Sequence, residues 1–115
     1  MPFLKLISNT ELEPNQKTTL LAEISKLMAT HTGKPERYVM VQFLDKQTML
    51  FAGTAEPLAY LECKSIGLHD AQVNTLAKAL NTHISSVLTI AGERIYIEFS
   101  NCPAEMWAWN GATFG

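Results

Sequence analysis

Cysteine is scarce, with Cys63 and Cys102 the only two in 115 residues, and they form no Cys-x-x-Cys pair. No disulfide framework can be read from them. They read as small apolar residues, and a dithiol exchange of the insulin-reductase kind is not expected. Long apolar runs are also missing: nothing approaches the roughly 20 residues that cross a bilayer. The opening MPFLKLIS lacks the basic start, long apolar stretch and small-residue cleavage site of a signal peptide. A cytoplasmic protein away from membranes is therefore expected. There is no excess of positive charge either, since 9 Lys and Arg face 11 Asp and Glu, for a formal charge of -2. The basic residues are scattered, which argues against nucleic acid as a partner. His31, His69 and His83 show neither metal-ligand spacing nor a paired carboxylate, so they are assigned no chemistry.

What the chain does have is enough apolar content, 47% against 17% charged, for one ordinary domain over residues 1–115. It also has an internal repeat. Glu36-Arg37 opens ERYVMVQF and Glu93-Arg94 opens ERIYIEF, 93 − 36 = 57 positions on, and the same offset lays FLKLIS onto YLECKS. The halves, about 1–57 and 58–115, each read strand, helix, strand, with a crossover long enough to make the two strands parallel.

The first helix is expected from about Pro14 to Thr30, with Leu20, Leu21, Ile24, Leu27 and Met28 on one stripe and Gly33 and Pro35 as stop signals. The second is expected from about Ala71 to Leu88, with Val73, Leu76, Ala77, Leu80, Ile84, Val87 and Leu88 on one face and Asp70 as its cap. Both helices should lie on one face of a four-stranded sheet made of Phe3–Ser8, Tyr38–Leu44, Leu58–Ile66 and Arg94–Ser100. Tyr38-Val39-Met40-Val41 and Phe3-Leu4-Lys5-Leu6-Ile7 put apolar residues on both faces, which implies a cover such as a partner subunit. Thr48–Ala52 and the tail around Met106-Trp107-Ala108-Trp109 are candidate edge strands that add to a neighbour's sheet.

Pro2 allows two readings. A strand's first residue donates nothing to the ladder, so proline is simply tolerated there. Alternatively, removal of Met1 leaves Pro2 with a free secondary amine. An α-amino group titrates at about 7.7 to 8.0, and burial or nearby cations would leave it an uncharged base at neutral pH.

Several further stretches, in order, bear on this choice: Thr32-Gly33-Lys34-Pro35, Phe51-Ala52-Gly53-Thr54-Ala55-Glu56-Pro57, Ser65-Ile66-Gly67, Arg94-Ile95-Tyr96-Ile97, and Trp109-Asn110 leading to Thr113-Phe114. With Pro2 they resemble the macrophage migration inhibitory factor family of the tautomerase superfamily over essentially the whole chain. The resemblance implies an α+β fold of duplicated β-α-β units, with a four-stranded mixed sheet and two antiparallel helices on one face, assembled as a homotrimer. It implies a keto-enol tautomerase of phenylpyruvate-like acids, with dopachrome as a further substrate, that needs no cofactor or metal. Pro2 would be the catalytic base, and Lys34 would bind the substrate carboxylate and lower the proline's pKa. The backbone N–H of Ile66, after Ser65, would donate to the substrate, and Tyr96 would reach the neighbouring subunit's site. Phe3, Tyr38, Trp107, Trp109 and Phe114 would form an aromatic wall.

The chain departs from the family at defined places. Glu98 stands where well-studied animal members have asparagine, Lys64 where histidine is common, and Trp107 where a smaller aliphatic residue is found. The thiol motif of some animal members is absent, its positions reading Leu58-Ala59-Tyr60-Leu61. A second reading stays open at this level, a cytokine-like ligand exported without a signal peptide, with a vestigial pocket and a receptor as partner.

Overall fold

The computed structural model describes every residue from Met1 to Gly115. Strand β1 (Phe3–Ser8) leads to helix α1 (Pro14–Thr32), and a 3₁₀ turn at Glu36–Tyr38 delivers the chain to β2 (Met40–Leu44). The same order follows in β3 (Ala59–Ser65), α2 (Asp70–Leu88), a turn at Gly92–Arg94 and β4 (Ile95–Asn101). Within each unit the strands are parallel, whereas β1 and β3 join the units antiparallel, giving the order β2-β1-β3-β4. A parallel pair needs a crossover, and each helix supplies one. The antiparallel junction reverses the second unit, so the helices run antiparallel on one face of a mixed sheet. No helix is long and apolar enough to cross a membrane.

Burial follows the expected stripes. Leu20, Ile24, Met28 and Thr32 of α1 and Leu76, Leu80, Ile84 and Leu88 of α2 are buried at four-residue spacing. They pack on Leu4, Leu6, Ala59, Leu61 and Cys63 of the central strands. Helix α1 runs two residues past Thr30 because Gly33, at φ 71°, turns its N–H back onto the Ala29 carbonyl at 3.0 Å. Helix α2 starts at Asp70 rather than Ala71, and its cap is His69, whose N–H donates to Gln72 Oε1 at 2.9 Å. Asp70 instead places its carboxylate in the first turn, where it opposes the helix dipole.

The repeat is not in one register. The helix-facing residues Leu4, Leu6 and Ser8 correspond to Leu61, Cys63 and Ser65, 57 positions on (61 − 4), but Leu20, Ile24, Met28 and Thr32 match Leu76, Leu80, Ile84 and Leu88, 56 positions on (76 − 20). The link between strand and helix runs over Asn9–Glu13 in the first half and over the shorter Ile66–His69 in the second. The matching Glu-Arg pairs are therefore one residue out of structural step, since the first turn opens on Glu36 and the second on Gly92.

Other expectations need correction. Tyr38 belongs to the 3₁₀ turn, so β2 begins only at Met40, while β3 and β4 occupy Ala59–Ser65 and Ile95–Asn101. Within its own chain Thr48–Ala52 joins no sheet. Phe51 and Thr54 bridge around Ala52 and Gly53, which take φ of 53° and 77°, so a tight turn takes up the end of the segment and Thr48–Leu50 are irregular. The tail pairs with itself: β5 (Ala108–Trp109) and β6 (Ala112–Thr113) form a hairpin across Asn110-Gly111, at φ 51° and 84°. Nor is the open face of the sheet apolar throughout. Register aligns Met40, Phe3, Lys64 and Ser100 in one row, Gln42, Lys5, Glu62 and Glu98 in the next, and Leu44, Ile7, Tyr60 and Tyr96 in the third. Its middle row is charged and polar because Lys5 and Glu62 alternate outward between buried neighbours.

Arg94 ties the long β2–β3 connection to β4. Its guanidinium donates to the carbonyls of Pro57, Phe51, Thr54 and Glu56 at 3.0 to 3.2 Å and lies 5.3 Å from the centre of the Phe51 ring. Lysine cannot reproduce this fork. Hydrogen bonds to charged groups contribute about 1.5–3 kcal/mol when buried, and these are partly exposed, so Arg94→Lys should cost about 1–3 kcal/mol. Urea unfolding of the two proteins measures it, and an unchanged midpoint would mean that the loop holds itself.

Candidate active site

At one end of the sheet a cavity of about 840 Å³ opens between the head of β1, the Glu36–Tyr38 turn, the ends of β3 and β4, and the C-terminal tail. Of the residues singled out in the sequence, it brings together Pro2, Phe3, Tyr38, Lys64, Trp107, Trp109 and Phe114. The backbone explains the convergence. Phe3 pairs with Lys64 across β1 and β3, and one step outward the same register sets Pro2 beside Ser65 and Met1 beside Ile66. On the other side the Pro2 carbonyl accepts the Met40 N–H at 3.0 Å. Pro2 is thus fully buried at the centre of the sheet's end.

The aromatic wall is held by the tail. Tyr38 meets Trp109 edge-on, with centroids 5.4 Å apart, and Phe114 at 6.3 Å. The Phe114 N–H donates to the Trp107 carbonyl at 3.1 Å, which folds the end of the chain back over its own hairpin. Such edge-to-face pairs each add about 0.5–1.5 kcal/mol beyond burial.

Lys34 is not among the residues that line the cavity within the single chain. It follows Gly33, and its Nζ sits 3.9 Å from where a Cβ on Gly67 would be. It takes part in none of the ion pairs, which are Lys17–Asp45, Lys46–Glu11 and His83–Glu23. Its charge is felt at the chain's start: burial first, and Lys34 second, hold the Met1 amine below the ordinary 8.0. Ser65 and Ile66 border the same place. The Ser65 carbonyl accepts the Cys102 N–H at 2.8 Å, so strand alternation turns the Ile66 N–H the other way, toward the head of β1. Ser65 Oγ is buried with no hydrogen-bond partner.

Tyr96 and Glu98 are not brought to Pro2 within the chain. Ser100 borders the cavity, and Tyr96 lies four residues back along β4, roughly 13 Å away at strand rise. Tyr96 is 65% exposed and leans on Phe51 at 4.7 Å. Glu98 accepts the Tyr60 hydroxyl at 3.4 Å, beside a second bond from that hydroxyl to Glu62 at 3.3 Å. Burial, then the charges of Glu62 and Glu98, raises the Tyr60 pKa. Cys63 is buried among the helices with its thiol pushed up to about 12, while Cys102 lines the cavity, and both are free.

One residue and one element had not been foreseen. Arg37, on the cavity wall with its Cζ 4.8 Å from the Tyr38 ring centre, had no signal beyond its place next to Tyr38. The tail hairpin did have one, the Asn110-Gly111 pair that favours a two-residue turn.

Known proteins share this arrangement. A crystal structure of a macrophage migration inhibitory factor homologue from Prochlorococcus marinus superimposes with a TM-score of 0.92 at 37% identity, covering 98% of this chain and 99% of that one. The macrophage migration inhibitory factor of Meriones unguiculatus is 38% identical over 96 residues, 83% of this chain and 84% of that protein. The homolog from Brugia malayi is 34% identical over 116 residues, spanning 100% of both. The family described as "Macrophage migration inhibitory factor (MIF)" matches residues 1–115, and the chain belongs to that family.

Proposed function

We propose that this chain is a cofactor-independent keto-enol tautomerase of phenylpyruvate-like 2-oxo acids, with Pro2 as general base once Met1 is removed. The observation that carries the reading is the aromatic-walled cavity at the head of β1, which Pro2 itself lines; burial and then Lys34 hold the amine at the chain's start below its ordinary range. Removal of Met1 moves the terminal amine one residue inward, to Pro2, within the same surroundings. An uncharged amine there takes a proton from the carbon beside the ketone and returns it to the carbonyl oxygen, or runs the reverse. Lys34 draws in the substrate carboxylate, and the Ile66 N–H is aimed to stabilise negative charge developing on the enolate. The aryl group lies against Phe3, Tyr38, Trp107, Trp109 and Phe114.

Tyr96 and Glu98 fit this reading only through a second copy. Both are exposed and far from Pro2 in their own chain, and a homotrimer with sites at subunit interfaces would deliver them to a neighbour's cavity. The test compares two preparations whose intact masses show Met1 present or absent, with sedimentation as the check on trimers. Only the processed protein should ketonise phenylenolpyruvate. Equal activity in both would reduce Pro2 to a strand-starting proline, since an acylated proline nitrogen has no basic lone pair.

A further inference from the structure

The charges around the cavity do not suit a substrate with a single acid group. Its wall carries Arg37 and Lys64 and no aspartate or glutamate. Neither cation is in an ion pair within the chain: Arg37 lies over the Tyr38 ring, and Lys64 projects from the open face opposite Phe3. Lys34, whose charge reaches the amine at the chain's start, is a third cation without a carboxylate partner. A neighbour's Glu98, delivered as proposed above, would answer one of the three and leave two positive charges around an uncharged base. One is met by the carboxylate of a 2-oxo acid at Lys34.

We propose that the second is met by another acidic group on the far end of the substrate, held by Lys64 and Arg37, so that the preferred substrate is an aryl 2-oxo acid carrying two anions. This rests on the tautomerase reading for its chemistry but not for its binding. The ring would pack on the Tyr38, Trp107 and Trp109 wall, with the outer acid emerging where Lys64 and the Arg37 guanidinium border the same space. Charge-assisted bonds in a desolvated cleft are the strong ones, and guanidinium grips a carboxylate in a fixed geometry.

Binding can be read without turnover, because Trp107 and Trp109 line the cavity and report through their fluorescence. The probes are 3-phenylpropanoate, 3-(4-carboxyphenyl)propanoate and its uncharged 4-carbamoyl analogue, titrated against processed protein at low and high salt. The diacid should bind about tenfold tighter than the carbamoyl compound at low salt, the size of one good charged contact. That ratio should shrink with salt, fall in Lys64→Met and Arg37→Met, and vanish in the double variant. Equal binding of diacid and amide would overturn the proposal, as would a preference surviving in the double variant; either would show the cations already satisfied across the subunit interface. Phenylenolpyruvate turnover is followed in the same preparations. Loss of turnover with the diacid preference intact would sink the tautomerase reading alone, and turnover without the preference would sink the second-anion site alone.

Discussion

Pro2→Gly should lower the ketonisation of phenylenolpyruvate by about 10²- to 10⁴-fold, the range that a positioned general base supplies, if the glycine amine cannot substitute for the ring. Glycine also permits removal of Met1 and leaves a terminal amine, so the variant isolates what the ring contributes. That contribution is orientation: the pyrrolidine fixes the direction of the lone pair, and the Met40 N–H holds the Pro2 carbonyl at 3.0 Å from the other side. The strand should tolerate the change better than the chemistry does. Circular dichroism should be unchanged, and kcat should carry the loss. A variant within a factor of three of the parent would mean that the ring contributes nothing and a plain glycine amine serves as well.

Lys34→Ala should produce two separable effects. The carboxylate loses its cation, and with a charged hydrogen bond contributing about 1.5–3 kcal/mol, kcat/KM should fall by about 10- to 100-fold, mostly through KM. The second effect is on pH. Burial and Lys34 both lower the amine's pKa, so removing Lys34 takes away the smaller cause and lets the pKa rise toward the ordinary 8.0 without reaching it. The base is active when unprotonated, so the rising limb of the pH profile should move to higher pH. A limb that stays in place or moves to lower pH would contradict the assignment of Lys34 as the cation acting on the base.

Much of this arrangement could be read from the residues. The four-residue spacing of Leu20, Ile24 and Met28, and of Leu76, Leu80 and Ile84, marks a helix face wherever it occurs, and both helices lie where their stripes put them. The aromatic residues of the site converge because the folded-back tail lays Trp109 and Phe114 edge-on to Tyr38. What could not be read depends on contacts between distant segments. Arg94 looks like any exposed arginine until the loop from Phe51 to Pro57 offers it four carbonyls. The one-residue slip between the halves is invisible in matching letters, because Glu36-Arg37 and Glu93-Arg94 are alike by composition and not by position in their turns. Whether an apolar strand face is wet depends on which residues alternate outward, and Lys5 between Phe3 and Ile7 decides it for β1.

The burial of Pro2 sets a deadline. Strand β1 lies between β2 and β3, so the start of the chain is free only until the segment up to about residue 65 has been made and has paired with it. At roughly 5–20 residues per second, that is a matter of about 3–13 seconds after synthesis begins. Trimming of Met1 is therefore in a race with sheet closure, and a chain that folds first keeps an acylated proline inside a finished structure. Folded protein that still carries Met1 should resist a methionine aminopeptidase, while a Leu61→Ala variant, which opens more often because a buried Leu→Ala costs about 2–5 kcal/mol, should be cut faster. The ratio of made to usable sites would then be decided on the ribosome, by timing, before any substrate is met.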